Sequence, residues 1–149
     1  MNRAAWVLAG CVCLALIGCG GGAAYRGVSV DPAPAPSKNT RVSVIYMHRT
    51  FRCVSCLVME KMARETVQQD FKAALADGAI QWQTQDFWQN EDVARRYGVE
   101  SPTVVVVAYA GGKEKSYQRL DQLWGLKLQP EKFKDALKKA VEESLREAR

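Results

Sequence analysis

Residues Arg41-Val42-Ser43-Val44-Ile45-Tyr46-Met47 alternate in a β-branched run, and shortly after them Cys53-Val54-Ser55-Cys56 opens an amphipathic stretch. The alternation predicts a strand and the spacing that follows predicts a helix. A C-x-x-C at a strand-to-helix junction narrows both fold and chemistry, because two thiols one helical turn apart suit thiol-disulfide exchange or soft-metal binding.

The remaining cysteines belong to a different segment. Cys11, Cys13 and Cys19 follow the short positive start Met1-Asn2-Arg3 and the apolar run Ala4 to Ile17. That run is shorter than the roughly 20 residues of a membrane span and reads as a signal-peptide core. It ends in Leu16-Ile17-Gly18-Cys19, which resembles a bacterial lipobox. The expectation is therefore a signal peptide over 1–18, a lipidated Cys19 at the mature N-terminus, a tether over 19–40 and one folded domain over 41–149. Processing removes Cys11 and Cys13 and blocks Cys19, so Cys53 and Cys56 remain as the thiols. This places the protein outside the cytoplasm on a lipid anchor, where disulfides are tolerated. Gly20 after the cysteine resembles outer-membrane sorting if the host is Gram-negative. The tether carries Gly20-Gly21-Gly22 and Pro32-Ala33-Pro34-Ala35-Pro36, a composition too poor in large apolar residues to offset its ordering entropy. Val28-Ser29-Val30 is not expected to form a strand.

The net charge is +5, one unit less once Arg3 is removed. It is spread along the chain, with no basic stripe and no aromatic platform, so nucleic acid is not an expected partner. The domain is expected to be monomeric, with a protein or small-molecule thiol or disulfide as substrate.

Along the domain, Cys53 to Ala76 is read as helical with a bend near Thr66 to Gln69, stopping at Asp77-Gly78. Ile80 to Gln85 alternates as a second strand. Asn90 is expected to cap a short helix through Tyr97, closed by Gly98. Thr103 to Ala108 is a buried strand, Gly111-Gly112 a hairpin turn and Glu114 to Leu120 the returning edge strand. Pro130 suits the first turn of a last helix with Phe133, Leu137, Val141 and Leu145 on one face and solvated charges opposite. This order predicts an α/β fold: a four-stranded mixed sheet with helices on both faces. Trp82, Trp88 and Trp124 are read as core or rim residues.

The strand, the C-x-x-C at a helix start and the later Ser101-Pro102-Thr103 before a hairpin together resemble the thioredoxin-like superfamily over about Arg41 to Arg149, in a minimal form without the leading strand and helix. The resemblance implies a cis peptide before Pro102 and a substrate groove shaped by Ser101 and Pro102. The segment His48 to Glu60 is further similar to the family of nitrophenyl compound nitroreductase subunits of the ArsF type. No nitroreductase activity is carried over, since nothing in the chain resembles a flavin site, and no cofactor is called for. Three positions depart from thioredoxins: Met47 stands where they carry a buried acid, Val54-Ser55 replaces Gly-Pro, and Arg52 replaces a tryptophan.

The residues carry their own chemistry. At a helix N-terminus, Cys53 faces backbone N–H groups and the positive end of the helix dipole, which favour its thiolate. Cys53 is thus the expected nucleophile and Cys56 the resolving thiol. His48, Arg49 and Arg52 are candidates to add positive potential, although His48 is also read as a proton shuttle or as a residue that simply closes the strand-to-helix loop. Phe51 is either a substrate contact or a packing residue of that loop. A purely structural disulfide is disfavoured because so short a loop gains little chain entropy. The alternative is a soft-metal or metalloid site, Cu(I) or arsenite held by Cys53 and Cys56, since four-ligand zinc lacks donors here. A third reading is a partner-binding subunit that uses the motif only to dock.

Overall fold

The structure, a computed structural model, describes residues 35–149. The segments expected to be a signal peptide and most of a tether, with Cys19 and Val28-Ser29-Val30, lie outside the described residues.

Strand β1 (Val42–His48) turns Val42, Val44 and Tyr46 to one face and Ile45 and Met47 to the other, and all five are buried. A strand apolar on both faces needs cover on both, which makes it central. Strand β2 (Ile80–Asp86) pairs with it in parallel and β3 (Thr103–Ala110) antiparallel, and β4 (Lys113–Arg119) pairs antiparallel with β3. The sheet order is β2-β1-β3-β4. On β4 exposed and half-buried residues alternate, with Lys113, Lys115, Tyr117 and Arg119 outward. A charged edge strand of this kind resists pairing with a second sheet.

The parallel β1–β2 pair requires a crossover, supplied by α1 (Val54–Asp70) and α2 (Lys72–Ala76). The chain breaks between them at Phe71, whose φ and ψ are −123° and 28°, not within Thr66 to Gln69. The Thr66 hydroxyl donates to the Met62 carbonyl at 2.8 Å inside an unbroken α1, while the Phe71 ring is buried and seats the break. Helix α3 (Glu91–Tyr97) ends at Gly98 in the left-handed conformation, φ 62°. Asn90 occupies the position before α3 but makes no side-chain cap; its amide instead donates to the Asp86 carbonyl at 3.1 Å. Gly111 and Gly112, at φ 58° and 75°, form the hairpin turn. A 3-10 segment, Asp121–Leu126, follows β4 and was not anticipated from the sequence. Pro130 begins the last helix, α4 (Pro130–Glu147).

Helices α1 and α4 and the 3-10 segment cover one face of the sheet, packing Met59, Ala63, Val67, Leu123, Phe133 and Leu137 on Val44, Tyr46, Val104 and Val106. The other face carries Ile45, Met47, Val105 and Val107 under Phe87, Tyr97 and Val99. The result is the four-stranded mixed sheet with helices on both faces that the residue pattern predicts. The end of β1, the start of α1, the loop before β3 and the 3-10 segment converge at one end of the sheet, and that end holds the site.

Candidate dithiol site

Cys53 is the N-cap of α1: its backbone is extended and its sulfur accepts from the Cys56 backbone N–H at 3.3 Å. A sulfur there takes the place of the usual hydroxyl or carboxylate cap and satisfies one of the four free N–H groups of a helix start. The Sγ atoms of Cys53 and Cys56 lie 2.7 Å apart, both are free thiols, and Cys53 is exposed where Cys56 is buried.

This geometry drives the two thiols in opposite directions. The hydrogen bond from the Cys56 thiol, followed by the backbone N–H of Cys56, pulls Cys53 below the ordinary thiol range. Burial, followed by the same bond seen from the other side, pushes Cys56 up. The two thiols are thus split, with the outer sulfur the more acidic and the inner one the less. Beneath it, the buried Tyr46 hydroxyl donates to the Cys56 carbonyl at 2.7 Å. Burial also raises the Tyr46 phenol, keeping it protonated as that donor.

Cys53 and Cys56 open onto a cleft of about 530 Å³ lined also by Arg49, Phe51, Ser101, Pro102, Asp121 and Trp124. Ser101 and Pro102 thus meet the cysteines across 45 residues of sequence, as the C-x-x-C and the later proline imply. The peptide before Pro102 is trans, not cis. Trans is the lower-energy form by about 0.5–1 kcal/mol for an X–Pro bond, and β3 begins directly after the proline at Thr103, a position where an ordinary trans proline fits. Phe51 is 83% exposed and stands at the cleft rim as an uncovered apolar surface.

The three basic residues before Cys53 diverge. Arg49 lines the cleft, with its guanidinium 5.4 Å from the Trp88 ring centroid. The His48 Nδ1 donates to the Arg49 carbonyl at 3.0 Å and its ring stacks on Tyr46. Arg52 turns away from the cleft and pairs with the buried Glu60, which also holds Arg64. None of the three is a leading cause of the lowered Cys53 thiol.

Glu60, Tyr46, Asp121 and Trp124 belong to the site or its support and were not singled out from the sequence for it. The spacing of Glu60, one turn beyond Cys56 on the same helical face, was a usable signal. Nothing local links Asp121 or Trp124 to Cys53. Met47, in the place of the acid of thioredoxins, is fully buried among apolar side chains on the second face. For a metal or metalloid, Cys53 and Cys56 are the soft donors at hand. Among the described residues no group of three or more His, Cys, Asp or Glu side chains is placed to hold an ion.

No protein-family model matches the chain, and no curated protein does. Among solved structures it is similar to human ERp44 in its zinc-bound form, at 14% identity and a TM-score of 0.48, over 68% of this chain and 27% of that one. The chain thus spans about a quarter of that protein's length. It is also similar to a mutant thioredoxin from Halobacterium salinarum (18% identity, TM-score 0.46, 71% and 80% coverage). A thioredoxin from Fasciola hepatica is a further likeness (20% identity, TM-score 0.37, 68% and 84% coverage). The architecture itself rests on strand order and direction: a β2-β1-β3-β4 sheet with β1 and β2 parallel and β3 and β4 antiparallel, carrying a C-x-x-C at the start of the helix after β1. The chain has a thioredoxin-like α/β fold.

Proposed function

We propose that the protein is a thiol-disulfide exchange protein that works outside the cytoplasm from a lipid anchor on Cys19. The observation that carries the exchange reading is the asymmetry of the pair: an exposed, N-capped Cys53 with its thiol lowered, touching a buried Cys56 with its thiol raised. The anchor rests on the lipobox-like Leu16 to Cys19.

The chemistry runs in two displacements. The Cys53 thiolate attacks one sulfur of a substrate disulfide, forming a mixed disulfide as the second substrate sulfur leaves as a thiolate. Cys56 then loses its proton and attacks Cys53 Sγ, the mixed disulfide breaks, and the first substrate sulfur leaves. The substrate gains two electrons and the protein becomes a Cys53–Cys56 disulfide; run in reverse, a substrate dithiol is oxidised. Ser101 and Pro102 form one wall of the cleft and Arg49, Phe51 and Trp124 the rest of its mouth, a surface suited to an extended polypeptide or a small disulfide.

Replacing Cys56 by Ser in cells tests this, because resolution then stops at the mixed disulfide. A reducible adduct on Cys53 is expected. No adduct, together with Cu(I) or arsenic co-purifying with the wild-type protein and lost in Cys53→Ser, would overturn exchange in favour of soft-metal binding.

A further inference from the structure

A buried, doubly paired acid on the dithiol helix, Glu60, is unused by this chemistry. Glu60 is 7% exposed, yet its two carboxylate oxygens are taken by different arginines, Oε2 by Arg52 and Oε1 by Arg64. Arg52 precedes the nucleophile directly. Its charge is nonetheless turned onto the flank of α1, into a depression shared with Lys61, Arg64 and Glu65 and separate from the cleft that holds the sulfurs. Arg52 and Glu60 flank the same helix start whose Cys56 carbonyl accepts the Tyr46 hydroxyl from beneath.

We infer that Glu60 is a positioning residue that holds the Arg52 charge away from Cys53, and so sets the acidity of the nucleophile and the potential of the dithiol. The inference rests on the exchange reading above. A guanidinium one residue from a thiolate stabilises it by direct attraction when free to do so. Held on the Glu60 carboxylate, the same guanidinium is offset where it sits and is not free to approach the sulfur. The other charged or titratable groups near Cys53 are Arg49 and Asp121 in the cleft and His48 in the loop, and Asp121 is itself paired with Arg119. Removing Glu60 therefore has a counterintuitive sign: loss of this ion pair makes Cys53 more acidic. Arg64 supplies the control, because it holds the other oxygen of the same carboxylate, so Arg64→Gln removes a charge at Glu60 while leaving the Arg52–Glu60 pair in place.

The test measures the pH dependence of Cys53 alkylation in the reduced protein, and the dithiol potential against glutathione, for Glu60→Gln, Arg52→Gln, the double variant and Arg64→Gln. Glu60→Gln is expected to lower the Cys53 midpoint by about half a pH unit, the scale of one charge at side-chain reach through a largely aqueous path. Above both midpoints this stabilises the reduced form about threefold, raising the potential by about 14 mV at ~30 mV per tenfold. The double variant returns to the wild-type midpoint, and neither Arg52→Gln nor Arg64→Gln alone, each of which leaves the Glu60 charge in place, lowers it. An unchanged or raised midpoint in Glu60→Gln, or a double variant as acidic as Glu60→Gln, overturns the inference. Should Glu60→Gln not fold, Glu60→Asp, which keeps the charge but shortens its reach to Arg52, is expected to give a smaller fall, and no fall overturns it. The alkylation midpoint is readable whether or not the protein exchanges disulfides, so this inference and the exchange reading fail separately.

Discussion

At the residue scale, the division of labour between the cysteines follows from where each sulfur sits. The Cys56 thiol and N–H pull Cys53 down against a smaller opposing effect of burial, while Cys56 is pushed up by burial first. Iodoacetamide at pH 6, well below the roughly 8.5 of a free thiol, is expected to label Cys53 several-fold faster than Cys56. Equal rates, or faster labelling of Cys56, would reverse the roles. The sequence makes legible the expectation that Cys53 is the nucleophile, because a helix N-terminus and the first position of C-x-x-C coincide. It did not carry the fate of the basic residues: that Arg49 faces the cleft while Arg52 is drawn onto Glu60 depends on side-chain partners across the strand-to-helix turn, which spacing does not encode.

At the scale of elements, the loop that delivers Ser101 and Pro102 is fixed by the end of α3. Gly98 closes that helix at φ 62°, and a Cβ there would lie 3.1 Å from an Arg119 Nη1 that donates to the Gly98 carbonyl. Gly98→Ala is expected to cost about 1–2 kcal/mol through the left-handed conformation alone, lowering Tm by several degrees. Gly98→Asn, which tolerates this conformation better, is expected to recover part of the loss in the same thermal melt. A Gly98→Ala protein as stable as the wild type would contradict the cap. Elements with strong periodicity, β1, β3 and α4, were legible as such. The 3-10 segment Asp121–Leu126 was not, because its short run has no period to read and its shape is set by burying Leu123 against the core.

At the scale of the molecule, the sheet order follows from rules the element sequence already implies: a parallel pair needs a crossover and a tight glycine turn makes a hairpin. What the order does not disclose is which loops meet at the sheet end, and so Asp121 and Trp124 entered the site only through the fold. The trans peptide before Pro102 corrects an expectation drawn from resemblance, while the placement of that proline against the dithiol agrees with it. The buried Met47 takes the place of an acid on the strand, and Glu60, one helical turn beyond Cys56, is a buried carboxylate on the dithiol helix itself. All of this concerns one claim, that Cys53 and Cys56 cycle between dithiol and disulfide. Equilibrating the protein in glutathione buffers from about −120 to −300 mV and mapping both cysteines by mass after alkylation measures it directly. A single two-electron transition to a Cys53–Cys56 disulfide within that range is the predicted result; two cysteines that stay free thiols across all of it would contradict the account.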